Sequence, residues 1–120
     1  MYQITFSKQS MEELNKLEIP EQMKSVESLS NITAKQLARP REPLGKFHRE
    51  GKTFYRLRAG EFRIYFKVDT EAEMINVHYM LHKNTLTDFV VRTKLPLPEE
   101  QLVEQHHSFW KYLESLTRNR

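Results

Sequence analysis

A chain of 120 residues with 38% hydrophobic, 29% charged and 11% aromatic residues is long enough for one compact domain, too short for two comfortable ones, and too rich in aromatics to be disordered. It has no cysteine, which excludes disulfides and thiolate metal sites and fits a reducing cytoplasm. The net charge is only +3, but the segment Arg39 to Lys67 carries nine cations against Glu42, Glu50 and Glu61, so it stands at +6 and the rest of the chain at −3; such asymmetry points to a polyanionic partner for one surface.

The opening Met1-Tyr2-Gln3-Ile4 has no basic region ahead of an apolar run, so no signal peptide is expected. No apolar run approaches the ~20 residues that span a bilayer, so no membrane partner is expected. Tyr2 to Ser7 alternates apolar and polar residues and predicts a first strand. Ser7 or Ser10 is placed to cap a short amphipathic helix whose apolar positions are Met11, Leu14 and Leu17. Ile19-Pro20 breaks it and opens a second helix, with Met23, Val26, Leu29 and Ile32 as its buried stripe. The two make a helical hairpin, with Met11 and Met23 as core fillers. Thr33 to Gly51, with Pro40, Pro43 and Gly45, reads as a surface loop containing a helical turn near Ala34 to Ala38.

Lys52 to Val68 is the most informative stretch. Two alternating runs flank Ala59-Gly60-Glu61, the pattern of an antiparallel hairpin with a short glycine-containing turn. Side chains alternate across a strand. Tyr55, Leu57, Phe62, Ile64, Phe66 and Val68 therefore make an oily face. Arg56, Arg58, Arg63, Tyr65 and Lys67 fall on the opposite, largely cationic one. A half-buried strand requires a polar second face, not a basic one. Two readings follow: a solvated face, or a platform for phosphate.

After a polar turn, Met74 to Leu81 predicts a third strand with Ile75, Val77, Tyr79 and Leu81 inward and Asn76, His78, Met80 and His82 opposite. Lys83 to Thr87 reads as a loop and Asp88 to Val91 as a short strand. Pro98-Glu99-Glu100 opens a helix running to Arg120, striped by Leu102, His106, Phe109, Leu113 and Leu116. That stripe must leave water, on the chain's own sheet or in a homodimer. The expected fold is α+β: a small antiparallel sheet with an N-terminal helical hairpin on one face and a long C-terminal helix. Residues 1–97 form the domain and 98–120 a helical extension.

The run Phe54-Tyr55-Arg56-Leu57-Arg58-Ala59-Gly60-Glu61-Phe62-Arg63-Ile64-Tyr65-Phe66 resembles the RelE/ParE superfamily of toxins from bacterial toxin–antitoxin pairs. That superfamily shows an aromatic, a basic-Leu-basic strand, Gly, an acid, an aromatic and Arg before an apolar strand. His82-Lys83 resembles the basic end of its last long strand, and the resemblance covers Tyr2 to Val91. It implies a toxin neutralised by a cognate antitoxin. RelE-like members cut mRNA in the ribosomal A site, whereas ParE-like members poison gyrase. On this resemblance Arg56 and Arg58 match the basic strand positions, Arg63 the arginine after the turn, and Lys83 the basic residue after the last strand. Phe89 stands where the RelE-like tyrosine is usual.

Metal-free RNA cleavage must deprotonate a 2′-hydroxyl, stabilise a phosphorane and protonate the leaving 5′-oxygen. Arg56, Arg58 and Arg63 suit phosphate, because guanidinium donates in pairs but holds its protons too tightly for base work. Lys83, His82 and His78 are the candidates for proton transfer. Lys52, Tyr65, Lys67 and His78 are the candidates for holding RNA, with Tyr65 either stacking a base or serving as a cross-strand aromatic. No metal is expected, since His78 and His82 are about 13 Å apart at ~3.3 Å per strand residue. No cofactor is expected either. The expectation is a cytoplasmic, ribosome-dependent, metal-independent mRNA endoribonuclease. The alternative is a non-enzymatic member, gyrase-directed or degenerate.

Overall fold

The computed structural model describes residues 2–93, 104 and 106–118, and of 49, 88, 90–93 and 116–118 the backbone alone. It falls into two compact units, Met1–Leu81 and His82–Arg120. The first contains β1 (Gln3–Phe6), α1 (Lys8–Asn15), α2 (Ile19–Ser30), α3 (Ala34–Ala38), β2 (Leu44–Arg49), β3 (Lys52–Ala59) and β4 (Phe62–Asp69). β5 (Met74–His82) runs to the boundary, and α4 (Lys83–Thr93) and α5 (His107–Arg118) belong to the second unit.

The sheet is five-stranded, in the order β1-β5-β4-β3-β2. It is mixed rather than antiparallel, because β1 pairs with β5 in parallel, Ile4 opposite Ile75 and Phe6 opposite Val77. Strands so far apart in sequence are not bound to hairpin geometry. β2 corrects a second expectation. Leu44 to Arg49 lies in what reads as a loop, yet it pairs antiparallel with β3, Leu44 opposite Leu57 and Phe47 opposite Phe54. Pro43 and Gly45 mask its alternation, and both suit an edge strand.

Both hairpin turns are two residues long. Glu50 and Gly51 have φ of 52° and 75° and join β2 to β3; positive φ at both central positions is the turn whose twist matches the strands. Gly60, at φ 61°, opens the β3–β4 turn, where a side chain would be strained. That turn sets Ala59 opposite Phe62, Leu57 opposite Ile64 and Tyr55 opposite Phe66. The oily face is therefore continuous. It joins Leu14, Leu29, Ile32, Leu37, Leu44, Ile75 and Val77 in one buried cluster. Full burial of each such side chain contributes about 1.5–3 kcal/mol. Tyr55 stacks on Phe66 with centroids 5.5 Å apart and donates its hydroxyl to Leu37 O at 3.3 Å.

The helices α1 and α2 follow β1 in the chain. Ser7 caps α1 by accepting the Ser10 N–H, and proline lies in the first turn of α2. The buried residues differ. Met11 is 40% and Met23 65% exposed, whereas Ser10 and Ser25 are buried. Ser10 is satisfied locally, donating its Oγ to Ser7 O at 3.0 Å, so a small polar residue sits inward where a methionine was expected.

In β5 the alternation breaks. Ile75 and Val77 face the core as expected, but so does Met80, while Tyr79 is only half-buried. Gln9 provides the local reason. Its side-chain Oε1 accepts from Met80 N at 3.0 Å and its Nε2 donates to Met80 O at 3.0 Å. One carboxamide thus serves both backbone groups of Met80 beyond the end of β1.

The second unit carries two corrections. Asp88 to Val91 is helical, within α4, and not a strand; Leu86 and Phe89, three apart, are both buried, as a helix face requires. The expected helix over 98–120 is described as α5 from His107, with His106 outside it; residues 98–103 lie outside the described part. Phe109 and Leu113 of the stripe, and the neighbouring Trp110, are buried within the single chain. Phe89 meets the Phe109 and Tyr112 rings, each at 5.5 Å. The Trp110 indole donates to Glu104 O at 2.7 Å.

Candidate nucleic-acid interface

The second face of the first unit is built by alternate residues of β2, β3 and β4. Strand register puts Arg56 between Gly45 and Tyr65, and Arg58 directly opposite Arg63. This puts three arginines on neighbouring strand positions but does not treat them alike. Arg56 is only 2% exposed. Its Nη1 and Nη2 donate to the two carboxylate oxygens of Glu42, each at 3.2 Å, and Nη1 also to Pro43 O at 3.3 Å. The guanidinium lies across Gly45, where a Cβ would come within 2.5 Å of Nη2. Arg56 is thus an internal strut and not an open phosphate contact. Arg58 is more open, and its Nη1 donates to the same Glu42 at 3.0 Å. Arg63 donates Nη1 to Gly60 O at 3.1 Å and Phe62 O at 3.0 Å, so the turn itself holds its side chain.

Glu42 is the functional candidate that the sequence reading missed. Its carboxylate is half-exposed and clasped by two arginines. The available signal was its position as a lone acid between Arg41 and Lys46 in a cationic stretch. Without β2, nothing in the pattern brings that stretch beside Arg56.

The expected RNA-holding residues Lys52, Tyr65, Lys67 and His78 also gather on this face, around aromatics. Phe47 stacks on Phe54 at 5.9 Å and meets Tyr65 edge-on at 6.3 Å. Phe54 meets the His78 ring at 5.7 Å, and Lys67 Nζ lies 5.1 Å from the Phe54 ring centre. Tyr65 is fully buried, which makes it a cross-strand aromatic and leaves no ring face for a base. Burial, and then the charges of Lys67 and Lys52, pushes the His78 imidazole below its ordinary range. Burial and the neighbouring Lys52 lower Lys67 likewise.

His82 and Lys83 belong to the second unit. His82 ends β5, and its Nδ1 accepts the Asn84 N–H at 3.1 Å, which caps the first turn of α4. His106 does the same before α5, accepting from Ser108 at 3.2 Å. Lys83 is exposed at the start of α4. Phe89 is 2% exposed among aromatic rings, so a hydroxyl there would need a buried partner. Among the described residues no group of three or more His, Cys, Asp or Glu converges as a metal ligand set, and no helix is long and apolar enough to cross a membrane.

No family model and no curated protein matches the chain in sequence. Solved structures do match. The archaeal RelE–RelB complex from Pyrococcus horikoshii OT3 has a chain that aligns with a TM-score of 0.55 and 19% identity, covering 68% of this chain and 94% of that one. The RelBE2 toxin–antitoxin complex of Mycobacterium tuberculosis aligns at 0.49 and 20%, covering 68% and 96%. The intact RelBE complex of E. coli aligns at 0.46 and 21%, covering 67% and 94%. The mixed five-stranded sheet and helices of this chain therefore have a RelE-like fold.

Proposed function

We propose that this protein is the toxin of a toxin–antitoxin pair and inhibits translation by cutting ribosome-bound mRNA without a metal. The observation that carries the reading is the Glu42 carboxylate clasped by Arg56 and Arg58, with Arg63 opposite Arg58 in register. The RelE-like fold and the basic hairpin support the same class. The partner that neutralises it is an antitoxin protein, and the place of action is the cytoplasm, where mRNA is translated.

The chemistry follows from the residues. A substrate phosphate draws Arg58 and Arg63, whose donors suit its non-bridging oxygens. Losing Arg58 to the phosphate leaves Glu42 held by Arg56 and able to accept the 2′-hydroxyl proton. The 2′-oxygen bonds to phosphorus, the bond to the 5′-oxygen breaks, and a cyclic phosphate remains. Arg58 and Arg63 stabilise the charge that develops on phosphorus-bound oxygen. Glu42 thereby takes the base role for which sequence offered only Lys83, His82 and His78. Lys83 or His82 remains, on sequence grounds, the donor to the leaving oxygen. The test maps cuts on a translated mRNA. Wild type should cut, and Glu42→Gln should slow the rate by about 10²–10⁴-fold, the usual range for a general base. Intact mRNA with wild type would defeat this reading in favour of a non-enzymatic role.

A further inference from the structure

The Lys52–Lys67–His78 cluster is outside the Glu42 constellation and is built differently. Lys52 opens β3, Lys67 is on β4 and His78 on β5. Tyr55 opposes Phe66 in register, so Lys67 lies beside Phe54 and Lys52 two residues along the same strand face; both ammonium groups are donors and neither can accept. Among the described residues no carboxylate pairs with either. Lys67 is held over the Phe54 ring, and the same ring contacts His78. Two like charges brought together beside a third basic group, on a rigid aromatic floor, form an arrangement that an anion between them stabilises and solvent alone does not.

We propose that Lys52, Lys67 and His78 form a phosphate subsite that anchors the RNA strand away from the reacting phosphodiester. The proposal rests on the reading above. Lys67 and Arg63 are four residues apart on one strand, about 13 Å at ~3.3 Å per residue, so the phosphates they hold are different ones. The subsite is for binding only: it touches no reacting atom. Its anion favours the imidazolium form of His78, which the two cations otherwise oppose.

Two measurements test it. Inorganic pyrophosphate titrated into the full chain, followed by the His78 ring resonances, should raise the pH at which that ring titrates, and Lys52→Gln/Lys67→Gln should remove the response. Single-stranded RNA binding by the double variant should weaken about threefold to tenfold, and its log–log salt slope should flatten by about 0.7, the value for one phosphate on a single strand. Any cleavage by the variant should show a raised KM with kcat within about twofold, as lost uniform binding requires. A His78 ring indifferent to pyrophosphate would overturn the subsite. A pyrophosphate response with RNA binding unchanged would overturn its anchoring role. RNA binding is read without cleavage, so an inactive wild type would defeat the ribonuclease reading and leave this test standing.

Discussion

Arg56 and Arg58 are two residues apart on one strand face, and the sequence gives no reason to separate them. The structure does. Arg56 is buried and ties Glu42 and Pro43 to β3, whereas Arg58 reaches toward solvent. Gly45 exists for the first of these roles. Gly45→Ala should push the Arg56 guanidinium off Glu42, because the new Cβ meets Nη2 at 2.5 Å and Cζ at 3.0 Å. The expected cost is about 1–3 kcal/mol, as for overpacking elsewhere, and chemical denaturation measures it; unchanged stability would show that Arg56 has room to move. His78 gives a pH prediction. Its folded-state pKa lies below the ordinary value of about 6.5, so protonation favours the unfolded chain. Stability should be unaffected by this group above pH ~6.5, fall as pH drops below it, and level off below the folded pKa. His78→Gln should make the wild-type profile shallower in that window; parallel profiles would contradict the assignment.

At the scale of elements, what was legible depended on whether local pattern was enough. The β3–β4 hairpin was, because alternation and Gly60 fix both its faces and its turn. α2 was legible as a helix, and Val26, Leu29 and Ile32 pack inward as expected, but Met23 does not. Propensity does not distinguish an inward Ser25 from an outward Met23. β2 was hidden by Pro43 and Gly45, and with it the position of Glu42. The parallel β1–β5 pairing carries no local signature at all, since it joins the two ends of the first unit. α4 was misread as loop and strand because Leu86, Phe89 and the intervening polar residues form too short a period to decide. Phe89 now fixes a stability prediction. It packs on Phe109 and Tyr112, so Phe89→Ala should cost about 3–5 kcal/mol of the stability of the second unit, as buried Phe truncations do. Thermal melting reads this, and a loss under ~1 kcal/mol would mean that the aromatic cluster is not its core.

For the whole molecule, the RelE-like fold explains why the cations cluster where they do. A tight hairpin at the middle of a mixed sheet sets three arginines on neighbouring strands, and the returning edge strand brings one acid to them. The charge asymmetry of the sequence pointed to that surface but could not divide it into the strut seen at Arg56 and the reacting pair and anchor proposed above. That division is the central claim, and it is tested most directly by measuring mRNA cutting and melting temperature on the same preparations of wild type, Arg63→Ala and Gly45→Ala. Arg63→Ala should lose about 10²–10³-fold in rate, as removal of one charge-stabilising donor does, with its melting temperature nearly unchanged. Gly45→Ala should lower the melting temperature, and lose rate only as far as Glu42 is displaced. Cleavage by Arg63→Ala at the wild-type rate would contradict the account.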